Sequence, residues 1–404
     1  MVKTLTSISL RKFVQSSSSG GIVLLVCVVM SLLLANSPWG PGFERLLASL
    51  LGVEMGPVHL RYTVLAWVND GLMAIFFLLV GLEIKRELVE GQLSTASKAA
   101  LPILAALGGV LAPAGIYTLF NAGTESASGW GIPMATDIAF ALGIISLLGK
   151  KVPASLKIFL AALAIADDLM AILVIAVFYT TELNSAYLIF AALGVGVQVA
   201  CNRLGFTRLV YYLVPGVVIW YFIHHSGVHA TIAGVITAMT IPVRTSRSET
   251  SPLLKLEHAL VTPVNFLIMP LFAFCNTNIR FEEGMVSGLT TPLGLGILAG
   301  LFIGKPVGIT LATWAAVKLK LCNLPEKASW AQIFGTGMLG GIGFTMSIFI
   351  AMLSFKGSLH LEQEAKFSIL IASLLSGIAG SIFLVSAGKR KQRSVGEEKV
   401  TSDR

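Results

Sequence analysis

Apolar blocks of roughly 20 residues, separated by short polar stretches, recur along this chain, and each is long enough to cross a hydrocarbon core about 30 Å thick as a helix. In lipid every backbone N–H and C=O must be satisfied within the protein, which leaves helices and closed barrels as the only spanning structures. Twelve blocks can be read: Gly20 to Ala35, Val64 to Leu82, Ala99 to Phe120, Pro133 to Gly149, Leu156 to Tyr179, Ala186 to Cys201, Leu209 to Ile223, Val228 to Ile241, Glu257 to Phe274, Pro292 to Val317, Ile333 to Phe355 and Phe367 to Ala387. The expected fold is an all-α membrane protein of 12 transmembrane helices. Connections are short, so a single transmembrane domain is expected over residues 1–404, with residues 388–404 forming a disordered cytoplasmic tail.

Of the 404 residues 55% are hydrophobic and 12% charged. A soluble domain carries about 25% charged residues, so water is not the main solvent of this chain. The formal charge of +8 could suggest a nucleic-acid partner. The basic residues, however, lie between spans and not on one soluble face, so no nucleic acid is expected. With the N-terminus placed in the cytoplasm, most of the 29 basic residues fall in inside segments, and only Arg45, Arg61, Arg280, Lys356 and Lys366 fall outside. The positive-inside rule then places both termini in the cytoplasm. Residues 1 to 37 also have the look of a secretory signal, but its cleavage would leave the second span oriented the same way. Cys27, Cys201, Cys275 and Cys322 have no metal or redox spacing.

Most spans carry no charge in the middle. The exceptions are Asp137 in the fourth, Asp167 and Asp168 in the fifth and Lys305 in the tenth. A charge at such depth costs about 2.5 to more than 10 kcal/mol, so these groups should partner one another around a protein-lined cavity. The plain alternative is an ion pair that only holds helices together. Three acids with one base, however, leave carboxylates that need a proton or a cation. Adjacent Asp167 and Asp168 point about 100° apart on a helix and need not act alike. Carboxylate oxygens suit small hard cations and also accept protons, so one site can hold either but not both. That competition is the least chemistry an exchanger requires.

The fourth span reads Trp130-Gly-Ile-Pro-Met-Ala-Thr136-Asp137-Ile-Ala-Phe140, and the eleventh Gly335-Thr-Gly-Met-Leu-Gly-Gly-Ile-Gly-Phe-Thr345-Met-Ser-Ile-Phe349. Both contain Thr-x-x-x-Phe after a helix-weakening run. In the expected topology they cross in opposite directions, as partners in an inverted repeat do. Two interrupted, crossing helices would expose carbonyls and opposed dipoles near the midplane, where Asp137 could offset two positive N-terminal ends. Gly-rich close packing between helices is the plain alternative for the eleventh span.

Other patterns carry less. Gly335-Thr-Gly-Met-Leu-Gly340 satisfies G-x-G-x-x-G but enters a membrane span with no strand-helix unit before it. Gly300-Leu-Phe-Ile-Gly304-Lys305-Pro306 is one residue short of a phosphate loop, and Pro306 replaces the hydroxyl residue. His225 and His229 have the spacing of a metal pair without an evident third ligand. No nucleophile-base arrangement argues for an enzyme, and no cofactor is expected. Glu83, Lys85, Arg86 and Glu87 at the cytoplasmic end of the second span lie on the same membrane side as Glu257 and His258. They are either solvated helix ends or a charge cluster that responds to pH. Glu83, Arg86, Glu87, Glu257 and His258, with His229, are the candidates for such a response.

Seven motifs together carry a family resemblance: Asn69-Asp-Gly-Leu-Met73, Gly81-Leu-Glu-Ile-Lys-Arg-Glu-Leu88, Ala135-Thr-Asp-Ile-Ala-Phe140, Ala164-Ile-Ala-Asp-Asp-Leu169, Ser226-Gly-Val-His-Ala-Thr231, Gly304-Lys-Pro-Val-Gly308 and Gly341-Ile-Gly-Phe-Thr-Met-Ser347. The chain resembles the NhaA family of sodium/proton antiporters over nearly its whole length. The resemblance implies Na+ and proton binding at Asp167 and Asp168, with Asp168 the more direct ligand. It implies that Asp137 and Lys305, supported by Thr136, compensate the crossed broken helices, and that Lys305 pairs with Asp167 when no cation is bound. It further implies uptake of Na+ or Li+ from the cytoplasm, electrogenic exchange for H+ across the bacterial inner membrane, activation at alkaline pH and a homodimer. One position departs: where family members often carry a second histidine three residues after Leu-Glu-His, this chain has Val261. The segment Asn36 to Arg61 shows no clear hairpin pattern, so a dimer contact there is not legible.

The expected mechanism is alternating access, in which a core bundle of the third to fifth and tenth to twelfth spans rocks while carboxylates exchange sodium for protons. The rival readings are a sodium-coupled symporter of organic acids and a passive cation channel.

Overall fold

A computed structural model describes residues 19–56, 58–180, 183–243, 251–281 and 284–402 of the chain. The basic residues Lys3, Arg11, Lys12, Arg244, Arg247 and Arg404, which count toward the inside excess, lie outside the described residues.

In chain order the main elements are α1 (Ser19–Ala35), α2 (Gly40–Ala48), the strands β1 (Leu50–Met55) and β2 (Val58–Thr63), α3 (Val64–Val89) and α4 (Ala96–Asn121). A 3₁₀ segment, Glu125–Met134, leads into α5 (Ile138–Leu147). Then come α6 (Ala154–Phe178), α7 (Ser185–Arg203), α8 (Val210–His225), α9 (Ile232–Thr240), α10 (Pro252–Asn276), α11 (Pro292–Lys318), α12 (Trp330–Gly340), α13 (Phe344–Ser354) and α14 (Leu359–Ser402). Among the described residues seven helices are long and apolar enough to cross a membrane, or up to ten if each bent pair is one span. The bent pairs are α1 with α2 at 109°, the 3₁₀ segment with α5 at 42°, and α12 with α13 at 48°.

This is the helical membrane protein that the apolar blocks require, with fewer full-length helices than twelve. Helix α8 has 16 residues and α9 only nine. At 1.5 Å per residue α9 is about 14 Å long, well short of the bilayer core. Helix α14 runs through Ser402, past the point where the sequence predicts a disordered tail. Residues 389–402 are rich in Lys, Arg, Gln and Glu, which extend a helix readily once it has been nucleated.

The segment without a clear hairpin pattern contains a hairpin. Strands β1 and β2 pair antiparallel, with Gly52 opposite Arg61 and Met55 opposite Val58. All six residues of β1 are exposed, so the period-two alternation that marks a half-buried strand has nothing to encode it. Gly52 is held at φ +132°, and a Cβ there would strike Leu60 O.

The chain divides into two compact units. One gathers the start of α1, Thr95–Ala171 and the described residues after 283; the other gathers Val23–Ser94 and Ile172–Phe281. In the first, α4 packs along α11 at very short range, because a Cβ on Gly108 would run into Gly308 O and the Ala312 side chain. Lipid supplies no hydrophobic force between helices, so close backbone approach through small residues does that work. Pro102 and Pro113 lie inside α4, a position that membrane helices tolerate better than soluble ones.

Candidate functional site

The site grows out of two chain breaks in the first unit. After the 3₁₀ segment, Ala135 is extended (ψ 149°) and Asp137 has ψ 99°, so the chain leaves helical geometry for three residues before α5 begins. Proline at 133 and the Thr-Asp pair, whose side chains compete for backbone groups, favour that interruption. The second break is Gly341–Gly343, between α12 and α13. The two breaks are hydrogen-bonded to each other, as Asp137 N donates to Ile342 O at 2.6 Å.

Asp137 is 1% exposed and is the N-cap of α5, accepting from Phe140 N at 3.1 Å. Its other oxygen, Oδ2, accepts from Thr345 N at 3.2 Å and from Thr345 Oγ1 at 2.5 Å, in the first turn of α13. One carboxylate therefore stands at the positive ends of two helices, where negative charge is favoured. Thr345 belongs to the motif Gly341-Ile-Gly-Phe-Thr-Met-Ser347, but nothing in the sequence marks it as the partner of Asp137.

Lys305 is 0% exposed. It follows the π turn Gly300–Gly304, which widens α11 by a residue just before Pro306. Its ammonium donates to Met134 O, at the negative C-terminal end of the 3₁₀ segment, and to Asp167 Oδ2 at 2.5 Å. Thr136 Oγ1 lies 2.7 Å from the same Asp167 oxygen and 2.8 Å from Gly340 O. The hydroxyl carries one proton, so it donates to the carboxylate or to the carbonyl but not to both. Asp167 Oδ1 accepts no hydrogen bond from a described residue. Asp168, next along α6, is 2% exposed. Thr136, Asp167 and Lys305 thus form one hydrogen-bonded set, with Asp168 next along α6, while Asp137, adjacent to Thr136 in the chain, is bonded instead to Phe140, Ile342 and Thr345.

Chemically, the site holds two neighbouring carboxylates and an ammonium in a place shielded from bulk water. Leaving either member of such a buried ion pair unanswered is costly. Among the described residues no three His, Cys, Asp or Glu side chains converge as a resident metal centre.

The other candidates lie in the second unit and separate into two groups. Arg86 bridges Glu87 and Glu257, each at 3.1 Å, and Glu257 is 4% exposed. Glu83 feels the charges of Glu257, Arg86 and Glu87, and His258, itself exposed, acts on Glu257. These five share one field. Lys85 instead caps the end of α9, donating to Met239 O at 2.7 Å and Ile241 O at 2.5 Å. His229 is not with them. Its Nε2 is 3.5 Å from Asp70 Oδ1, with His224 Nδ1 3.9 Å from Asp70 Oδ2. Thirteen residues of helix, about 20 Å, separate Asp70 from Glu83. In the sequence Asp70 stands out only as part of Asn69-Asp-Gly-Leu-Met73, and an acid inside an apolar span is the signal that marks it. His225, read as half of a metal pair, lies beside the Tyr62 hydroxyl at 3.2 Å and Tyr221 O at 2.9 Å.

The family described as Na+/H+ antiporter 1 matches residues 11–384. A protein of Flavobacterium johnsoniae named Na(+)/H(+) antiporter NhaA 2 is 59% identical over 381 residues, covering 94% of this chain and 93% of that relative. Proteins named Na(+)/H(+) antiporter NhaA from Caulobacter vibrioides and Nitrobacter hamburgensis are each 50% identical, covering 96% and 93% of this chain and 92% and 91% of their own lengths.

Proposed function

The chain belongs to the Na+/H+ antiporter 1 family, and from that premise we propose that it exchanges cytoplasmic Na+, or Li+, for external H+ by alternating access. The observation that carries this reading is the buried Lys305–Asp167 pair beside Asp168. In the cation-free form Lys305 neutralises Asp167. Sodium entering from the cytoplasm displaces the ammonium and is held by Asp167 and Asp168, and the unit that carries the site turns it outward. Protons arriving from outside take the carboxylates and release the cation. Asp137 offsets the positive ends of α5 and α13, and Lys305 the negative end of the 3₁₀ segment, so the interrupted spans can cross near the midplane without unbalanced dipoles.

Net inward movement of charge lets the membrane potential assist, at about 2.3 kcal/mol per charge per 100 mV. We assign control by pH to the linked charges of Glu83, Arg86, Glu87, Glu257 and His258. His229 takes part only through the separate Asp70 group. The full topology we propose has twelve spans in inverted repeats, with both termini cytoplasmic, in the bacterial inner membrane. No observation favours the organic-acid symporter or the channel.

The test is dequenching of a pH dye in everted vesicles on adding NaCl, over a pH series, with and without a membrane potential. Sodium-driven proton movement that responds to potential supports electrogenic exchange. No response in proton-tight vesicles at any pH would sink it.

We also propose a homodimer through the hairpin. Leu50, Leu51, Val53 and Met55 are more than half exposed on a strand with an open edge, which invites pairing with a second copy. Deleting residues 50–63 should convert a dimer in mild detergent to a monomer, as read by light scattering, while leaving the fold of the site unit intact. A dimer that survives the deletion places the contact elsewhere.

A further inference from the structure

The π turn before Lys305 is built around a missing amide. Lys305 N donates five residues back, to Gly300 O. Pro306, which would serve Leu301 O in the same pattern, has no N–H. Leu301 O is thus left without the amide at the fourth or the fifth position ahead of it. It lies against Gly341, at the break between α12 and α13. A Cβ on Gly341 would meet Leu301 O and, at 2.8 Å, Ser376 Oγ from α14. Ser376 is 0% exposed, and its hydroxyl has no hydrogen-bond partner among the described residues. Ser373, one turn earlier, accepts from Phe344 N at 3.1 Å and holds α14 to the same break.

A carbonyl short of a donor and a hydroxyl short of an acceptor therefore flank one glycine. Leaving such groups buried and unmade is unfavourable. This occurs in the arrangement in which Lys305 is paired with Asp167.

We propose that Ser376 is a positioning residue for exchange, its hydroxyl donating to Leu301 O when a cation displaces Lys305 from Asp167. The bond exists only after the π turn shifts, so it favours the cation-loaded form. Two packings that differ by one hydrogen bond make a bistable element that a ligand can bias. Gly341 permits the shift because no side chain stands between the two oxygens. The inference rests on the exchange reading above and adds a residue that touches neither cation nor proton.

The test compares wild type, Ser376→Ala, Pro306→Ala and the double variant in everted vesicles, with protein amount measured in the same membranes. Ser376→Ala removes the relief and should raise the KM for Na+ about threefold to tenfold, the size of one net hydrogen bond, with the maximal rate within about twofold. Pro306→Ala gives Leu301 O an amide in both states, so the Ser376→Ala effect should largely vanish in that background. An unchanged KM in Ser376→Ala overturns the proposal, as does an equal KM effect in both backgrounds. A loss of protein or maximal rate at constant KM also overturns it, since that is what a purely structural serine would give. Wild-type vesicles without any sodium response would instead fail the exchange reading itself.

Discussion

Asp168→Asn should abolish sodium-driven proton movement while the protein still inserts and accumulates normally. The substitution keeps size and shape but removes the negative charge and the titratable group that the proposed exchange requires at this position. A unit charge pair at 4 Å is worth about 4 kcal/mol at an effective dielectric near 20. Losing it weakens Na+ binding on the order of a thousandfold. The proton step fails as well, because an amide does not titrate. Dequenching in everted vesicles, scaled to protein amount, reads both effects together. A variant that retained wild-type KM and rate would place the coupling site elsewhere. The same change at Asp167 would also break its bonds with Lys305 and Thr136 and strand a buried ammonium.

Lys305→Ala should destabilise the protein markedly, and Lys305→Ala combined with Asp167→Asn should recover most of the loss. Both partners are buried to 0% side-chain exposure, at 2.5 Å. Removing one member of such a pair costs about 3–5 kcal/mol, because the other charge stays buried without an answer, whereas replacing both is often neutral. Thermal unfolding in detergent, with and without NaCl, checks this. Sodium should stabilise Lys305→Ala more than wild type, since the cation then neutralises Asp167 without displacing an ammonium. Equal stability of the single and double variants would mean that Lys305 answers Met134 O and the end of the 3₁₀ segment more than it answers Asp167. That outcome would assign it to the helix break and not to cation competition.

How much of this was legible depended on the kind of signal. The four intramembrane charges stand out because lipid makes each of them costly, so Asp137, Asp167, Asp168 and Lys305 could be singled out from position alone. The two breaks were legible for a similar reason, as Pro133 and the run Gly340, Gly341 and Gly343 weaken helices wherever they occur. Thr345, Met134 and Gly340 were not, since they act through a hydroxyl or a carbonyl whose direction only the fold sets. The grouping of His229 with Asp70, and not with Glu257, likewise depended on which end of α3 each residue meets.

By itself the sequence determined the features that local chemistry and solvent dictate: helices as the spanning structure, charges that must be answered, and glycines and prolines that interrupt. Lipid applies those rules residue by residue, so no tertiary information is needed to apply them. Tertiary structure alone decided the partners. It brought Asp137 to the first turn of α13 across more than 200 residues, set the Lys305 ammonium on one oxygen of Asp167, and left Ser376 beside a carbonyl that Pro306 cannot serve. Hydrogen bonds depend on distances of tenths of an ångström, and a distance between elements far apart in the chain is a property of their packing, which no local pattern encodes.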